Sequence, residues 1–104
     1  MIRHIVATKF KASVTEQENA QICADLAALT VKLSAPRGFT AGSSDSPERF
    51  QRGYKHAFVI DFDDWADLKA YTDDPERKEL GALLVDNTVG GADGILVMDL
   101  NIEN

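Results

Sequence analysis

His4 and His56 are the two histidines of the chain, and each stands third in an alternating run that reads as a β-strand. Imidazole titrates near neutrality, so a histidine pair is a natural acid–base couple. With the two strands taken as parallel neighbours about 4.8 Å apart, the rings lie side by side. They would then form the floor of a pocket between sheet and helices, beside Val6, Leu26, Phe58, Tyr71, Leu80 and Leu83. Apolar walls with a few convergent polar groups are the usual form of a small-molecule site. The plainer alternative is that both are core histidines bonded to each other or to backbone, because an unpaired buried donor costs about 1–3 kcal/mol. Tyr71 shares a helical face with Leu68, so its ring belongs to the core whatever its hydroxyl does.

The elements that must position these groups are legible from period and punctuation. Residues Ile2 to Phe10 alternate as a strand, with His4, Val6, Thr8 and Phe10 on one face. Thr15 and Glu18 make a capping-box pattern, and Ile22, Leu26, Leu29 and Leu33 follow as one helical stripe that ends before Pro36. Arg37 to Ser43 reads as a short strand, Ser44 to Gly53 as a polar loop, and Tyr54 to Phe62 as the clearest strand of the chain. Asp63 and Asp64 offer an N-cap for a helix carrying Trp65, Leu68 and Tyr71. Pro75 breaks it, and a second helical piece runs from Glu76 to about Asp86. Gly90 and Gly91 close that piece, and Gly94 to Leu100 forms a last strand that is apolar on both faces. The order βαββαβ, with right-handed crossovers, implies an α+β sheet in the order 4-1-3-2 with the helices on one face.

Composition narrows the function classes. A chain of 104 residues suits one domain, 1–104, with one modest core. The net charge of −6 repels phosphate backbones and anionic headgroups, which argues against nucleic acid and membrane as partners. No apolar run approaches the ~20 residues that span a bilayer, and the start lacks a signal-peptide pattern, so a cytoplasmic location is expected. The single Cys23 fits a reducing compartment and a small core residue better than a metal or redox site. Asp61, Asp63, Asp64 and Asp67 crowd one junction, where helix capping explains them better than a cation does. The glycines at 90, 91 and 94 lack the lysine and flanking elements of a phosphate loop, and no serine sits in a nucleophile elbow.

The uncovered face of the sheet sets the assembly. Opposite the histidine face lie Ile5, Ala7, Ala57 and Val59, and the last strand adds apolar residues on both sides. Left in water, such a face is an aggregation hazard. Two copies packed sheet to sheet about a two-fold axis solve this, so a homodimer is expected.

The opening Met1-Ile2-Arg3-His4-Ile5-Val6 with Lys9-Phe10-Lys11 resembles the start of the stress-responsive dimeric α+β barrel (Dabb) family. So do Arg37-Gly38-Phe39, Arg52 to Ala57, Tyr71 with Asp74-Pro75, and the closing run Gly94 to Leu100. The likeness runs nearly end to end. It implies a ferredoxin-like subunit and a barrel-forming homodimer. It also implies a family with many members of no assigned activity, some plant stress proteins and one plant polyketide cyclase that uses no cofactor. His4, His56 and Tyr71 match that cyclase's pocket histidines and catalytic tyrosine. The family's typical His-Pro-x-His is here Asp74-Pro75-Glu76-Arg77, so Arg77 stands at the position of the catalytic histidine. An arginine cannot act as a general base near neutrality. It suits a planar carboxylate or enolate at a pocket mouth, joined by Arg37. It also suits the plainer role of a solvated first-turn residue behind an Asp74 cap.

Three functions are therefore expected in order. The first is a dimer that binds a small apolar or aromatic molecule between sheet and helices, with no metal or organic cofactor. The second is a cofactor-free cyclase or lyase using His4, His56, Tyr71 and Arg77. The third is a non-catalytic, stress-protective protein with a filled core.

Overall fold

A computed structural model describes residues 1–103. Its elements are β1 (Ile2–Thr8), α1 (Glu16–Lys32), β2 (Arg37–Ser43), β3 (His56–Phe62), α2 (Trp65–Asp73), α3 (Pro75–Asp86), a 3₁₀ turn (Gly91–Gly94) and β4 (Ile95–Asn101). The sheet order is β2-β3-β1-β4, the expected order read from the other edge.

Every neighbouring pair is antiparallel, and this corrects the parallel pairing assumed for the two histidine strands. The reason is topological. A crossover returns β2 parallel to β1, and the hairpin then reverses the chain, so β3 must run against β1. Two strand ends also differ from the expected ones. Tyr54 belongs to a turn, its N–H donating to Gln51 O at 2.9 Å, and β1 ends at Thr8 with only an isolated bridge from Phe10 to Thr88.

Alternation on β1 sorts the molecule into layers. Ile2, His4, Val6 and Thr8 are buried toward the helices, and Arg3, Ile5 and Ala7 face the other way. The core beneath the helices is Ile2, Val6, Phe58, Ile60 and Phe62 against Ile22, Leu26, Leu29, Leu68, Tyr71 and Leu84. Ile60 and Phe62 have no exposed surface, and each contributes about 1.5–3 kcal/mol by leaving water. Thr15 accepts from Glu18 N at 3.1 Å, and the Glu18 side chain reaches back to Thr15 N. This box satisfies two of the free N–H groups at the start of α1 and is worth about 1 kcal/mol.

The opposite face has no helices. Ile5 and Ala7 on β1, Ala57 and Val59 on β3, and Leu96, Met98 and Leu100 on β4 line it. Met98 is 50% and Leu96 49% exposed. Arg3 and Asp61 pair across this face through two contacts of 2.9 and 3.2 Å.

The turn before β4 depends on a close approach. A Cβ on Gly94 would sit 2.5 Å from Val89 O and 3.0 Å from Val89 N, both backbone atoms. Gly94 O also accepts from Lys9 N at 2.8 Å, tying the turn to the end of β1. Gly94→Ala is therefore expected to lower stability by about 1–3 kcal/mol through overpacking. Urea unfolding at fixed protein concentration measures it. A loss below about 0.5 kcal/mol would mean that the turn relaxes without cost.

Candidate functional site

Antiparallel register separates the two histidines. His4 stands opposite Ile60, and His56 opposite Thr8. His4 and Thr8 are four positions apart on β1, so the two histidines are offset by about 14 Å along the strands at ~3.4 Å per residue. The expectation of adjacent rings is thus wrong. Each histidine belongs to a different end of the gap between sheet and helices.

His4 lies beneath α2. Its ring packs edge-on against Phe62 and Tyr71, with centroids 6.3 and 6.2 Å away, and only 3% of the residue is exposed. Nδ1 lies 2.6 Å from Asp99 Oδ1, its cross-strand partner on β4. A carboxylate only accepts, so Nδ1 carries the proton and donates. Nε2 is buried with no partner among the described residues. Sequence reasoning missed Asp99. The signal was available in the parity of β4, which puts Asp99 on the same face as Val97 and beside β1 in the order 4-1-3-2.

Tyr71 and Arg77 are brought together by a double cap. Asp74 ends α2, its N–H donating to Tyr71 O at 3.2 Å. Its carboxylate starts α3 by accepting from Arg77 N at 3.1 Å. Pro75 occupies the first turn of α3, where its missing N–H costs nothing. The bend lays the Arg77 guanidinium over the Tyr71 ring, 5.6 Å from the centroid. It also passes Gly81, where an added Cβ would sit 3.6 Å from Arg77 Nη1. Arg77 makes no ion pair among the described residues.

These two residues form one wall of a cavity of about 270 Å³. Val6, Leu26, Phe58 and Leu80 line it as expected, joined by Val85 and Val97. Leu83 does not: it is 42% exposed on the outer side of α3. Arg37 does not either, because it pairs with Asp63 at 2.9 Å on the surface. That pairing holds the Asp63 carboxyl below its ordinary value. Asp61 pairs with Arg3, and Asp64 caps α2, so three of the crowded acidic residues have structural partners.

His56 lines a second cavity, also of about 270 Å³, at the other end of the gap. It is half-buried with its ring edge-on to Phe10 at 5.5 Å. Cys23 also opens onto this space rather than sitting in the closed core. The two cavities share Leu26, Phe58 and Leu84 as walls. Each approaches the ~300 Å³ at which ligand pockets begin.

Chemically, the Arg77 wall supplies a cation and a proton donor. Burial pushes the Tyr71 phenol above the ordinary tyrosine range, and the Arg77 charge pulls against that rise. Near neutrality Tyr71 is therefore a donor. The raised value also couples to stability. Above about pH 10 the unfolded phenol ionises while the folded one keeps its proton, so the folded state binds more protons and stability falls as pH rises. Tyr71→Phe is expected to flatten this alkaline decline, measured as unfolding free energy between about pH 9 and 11. Equal slopes in both proteins would show that the phenol ionises as freely folded as unfolded.

Comparison with known proteins agrees with the fold. Residues 2–102 match the model of the Stress responsive A/B Barrel Domain family, Dabb. A dimeric ferredoxin-like protein of unknown function from Jannaschia sp. CCS1 is 30% identical, with 97% of this chain and 98% of that one aligned and a TM-score of 0.90. The hydroxynitrile lyase of Passiflora edulis shares the fold at 23% identity, TM-score 0.85, over 98% and 93% of the two chains. A Dabb family protein with a ferredoxin-like fold from Mesorhizobium loti shares it at 20% identity, TM-score 0.77, over 99% and 97%. No curated protein gives a significant match. With the family domain spanning residues 2–102 and a 30% identical relative aligned over nearly its whole length, this chain belongs to the stress-responsive A/B barrel family.

Proposed function

We propose that the protein is a homodimer that binds a small aromatic molecule bearing an acidic or oxyanionic group, in the cavity between sheet and helices. The observation that carries this reading is Arg77, a cation with no ion-pair partner among the described residues, laid over Tyr71 at the wall of a cavity whose other lining is apolar apart from Lys78. A guanidinium in that setting suits a planar carboxylate, phenolate or enolate. Tyr71 adds one neutral donor, and Val6, Phe58 and Leu80 enclose the apolar body. The dimer follows from the uncovered face. Seven apolar side chains there would otherwise meet water, and a sheet-to-sheet contact buries them on both copies at once. The Jannaschia and other ferredoxin-like relatives described as dimeric support this part of the reading.

A second reading, a cofactor-free enzyme of lyase or cyclase type, draws on the His4–Asp99 pair. A carboxylate-oriented imidazole is a common form of general base. Its Nε2 is buried, with Phe62 and Tyr71 packed edge-on to the ring, so this reading requires that packing to open. Exchange of α-protons of a small aryl β-diketone in D₂O, followed by NMR, tests it. His4→Phe should abolish the exchange and leave the dimer intact. Equal exchange in both proteins would remove the reading.

Two experiments bear on the primary proposal. Native mass spectrometry should show a dimer, and Ile5→Asp, which puts a charge on the uncovered face, should give monomer. A variant that remains fully dimeric would place the interface elsewhere. Binding of benzoate should weaken about tenfold or more in Arg77→Gln, the loss typical of a charge-assisted hydrogen bond. Gly81→Leu, which puts a side chain into the cavity wall beside the Arg77 guanidinium, should remove benzoate binding. Benzoate binding that ignores both changes would overturn the proposal.

A further inference from the structure

The second cavity is built differently from the first. Its backing is small on the sheet side, with Ala41 and Gly42 on β2, and small on α1 at Ala20, which leaves space that larger residues would fill. Polar side chains from four elements line that space: Thr8 on β1, Asn19 and Cys23 on α1, Ser43 on β2 and His56 on β3, of which Thr8 is already bonded, its hydroxyl donating to His56 O at 3.3 Å. Asn19 is 8% exposed, yet its amide has one contact among the described residues, a long 3.8 Å approach of Cys23 Sγ to Oδ1. Both N–H bonds of its Nδ2 have no acceptor there. The His56 imidazole and the Ser43 hydroxyl also have no hydrogen-bond partner among the described residues. The amide reaches the open cavity and is not closed off behind it: the buried side-chain atom without a partner among the described residues is His4 Nε2. An asparagine in the first turn of α1, lining an open cavity with neither amide N–H taken by a protein acceptor, is placed to offer those donors to a ligand.

The charge at the rim selects the ligand. Glu16 stands at the cavity edge, no cation lines the cavity, and the chain carries a net charge of −6. An anion is disfavoured on each count. Burial raises the Cys23 thiol pKa, so at neutrality it is a weak donor rather than a nucleophile. Phe10, Phe58 and Leu26 provide flat apolar walls, and a cavity of about 150 Å³ already admits benzene.

We propose that this compartment is a second binding site, taking a small uncharged molecule that joins an aromatic body to a carboxamide or carbonyl group. The carbonyl oxygen accepts from Asn19 Nδ2, and the other side of the group bonds the His56 ring. The site is distinct from the Arg77 compartment, though Leu26, Phe58 and Leu84 wall both, and it selects a neutral ligand where the other selects an anion.

Titration of isotope-labelled protein with benzamide, benzoate and toluene, followed by NMR, tests this. Benzamide is expected to give saturable shifts at the Asn19 side-chain amide and the His56 ring, and to bind more tightly than the other two at this site. Asn19→Leu should weaken benzamide about three- to tenfold, the value of a neutral hydrogen bond, and leave toluene unchanged. His56→Phe, which keeps the ring volume, should do the same and serves if the first variant does not fold. Gly81→Leu, which blocks the other cavity, should leave benzamide binding unaltered. The proposal is overturned if benzamide and toluene bind equally here, if the shifts fall at Tyr71 and Arg77 instead, or if no saturable shift occurs up to the solubility limit. Loss of benzoate binding alone would count only against the Arg77 compartment.

Discussion

The registration of β1 between β3 and β4 is the constraint on which the rest depends. Side chains alternate strictly along a strand, so one register decides which residues face the helices and which do not. With His4 opposite both Ile60 and Asp99, the helix side receives Ile2, Val6 and Thr8, and the other side receives Ile5 and Ala7. A slip by one residue would place His4 on the uncovered face and Arg3 in the core. The covered face makes the subunit stable, and the uncovered face gives it a reason to pair with another copy.

A second constraint is the Asp74–Pro75 junction. One aspartate finishes α2 with its backbone and starts α3 with its side chain, and the proline cannot continue the first helix. The bend this creates is what carries Arg77 over Tyr71. The side chain it carries there is a permanent cation and not a base. The fold can hold either, because the position is set by the cap and the helix rather than by the side chain's chemistry. This is how one scaffold separates its architecture from its reactivity.

Charge divides the gap between sheet and helices. At one end an unpaired guanidinium lies against an aromatic ring. At the other the Glu16 carboxylate stands at the edge of a cavity lined by Asn19, Cys23, Ser43 and His56. Leu26, Phe58 and Leu84 stand between them. Desolvating an ion without a partner costs far more than its apolar contacts return, so the placement of charge distinguishes the two ends of the gap.

By itself the sequence determined what depends on neighbours along the chain. The strand alternation, the capping box at Thr15, the stripe Ile22, Leu26 and Leu29, and the break at Pro75 are local patterns, and each appears where its period and punctuation put it. The apolar second face of β1 and β3 was legible for the same reason, as was the motif order that marks the family. The tertiary structure alone decided what depends on strand sense and register. Antiparallel pairing moved His56 away from His4 and gave His4 to Asp99, 95 residues distant in the chain. It left Arg37 on the surface with Asp63, turned Leu83 outward on α3, and opened a cavity in front of Asn19, which no local pattern marks. Contacts of that kind are set by where separate elements meet, and the residues on either side carry no trace of the meeting in their own spacing.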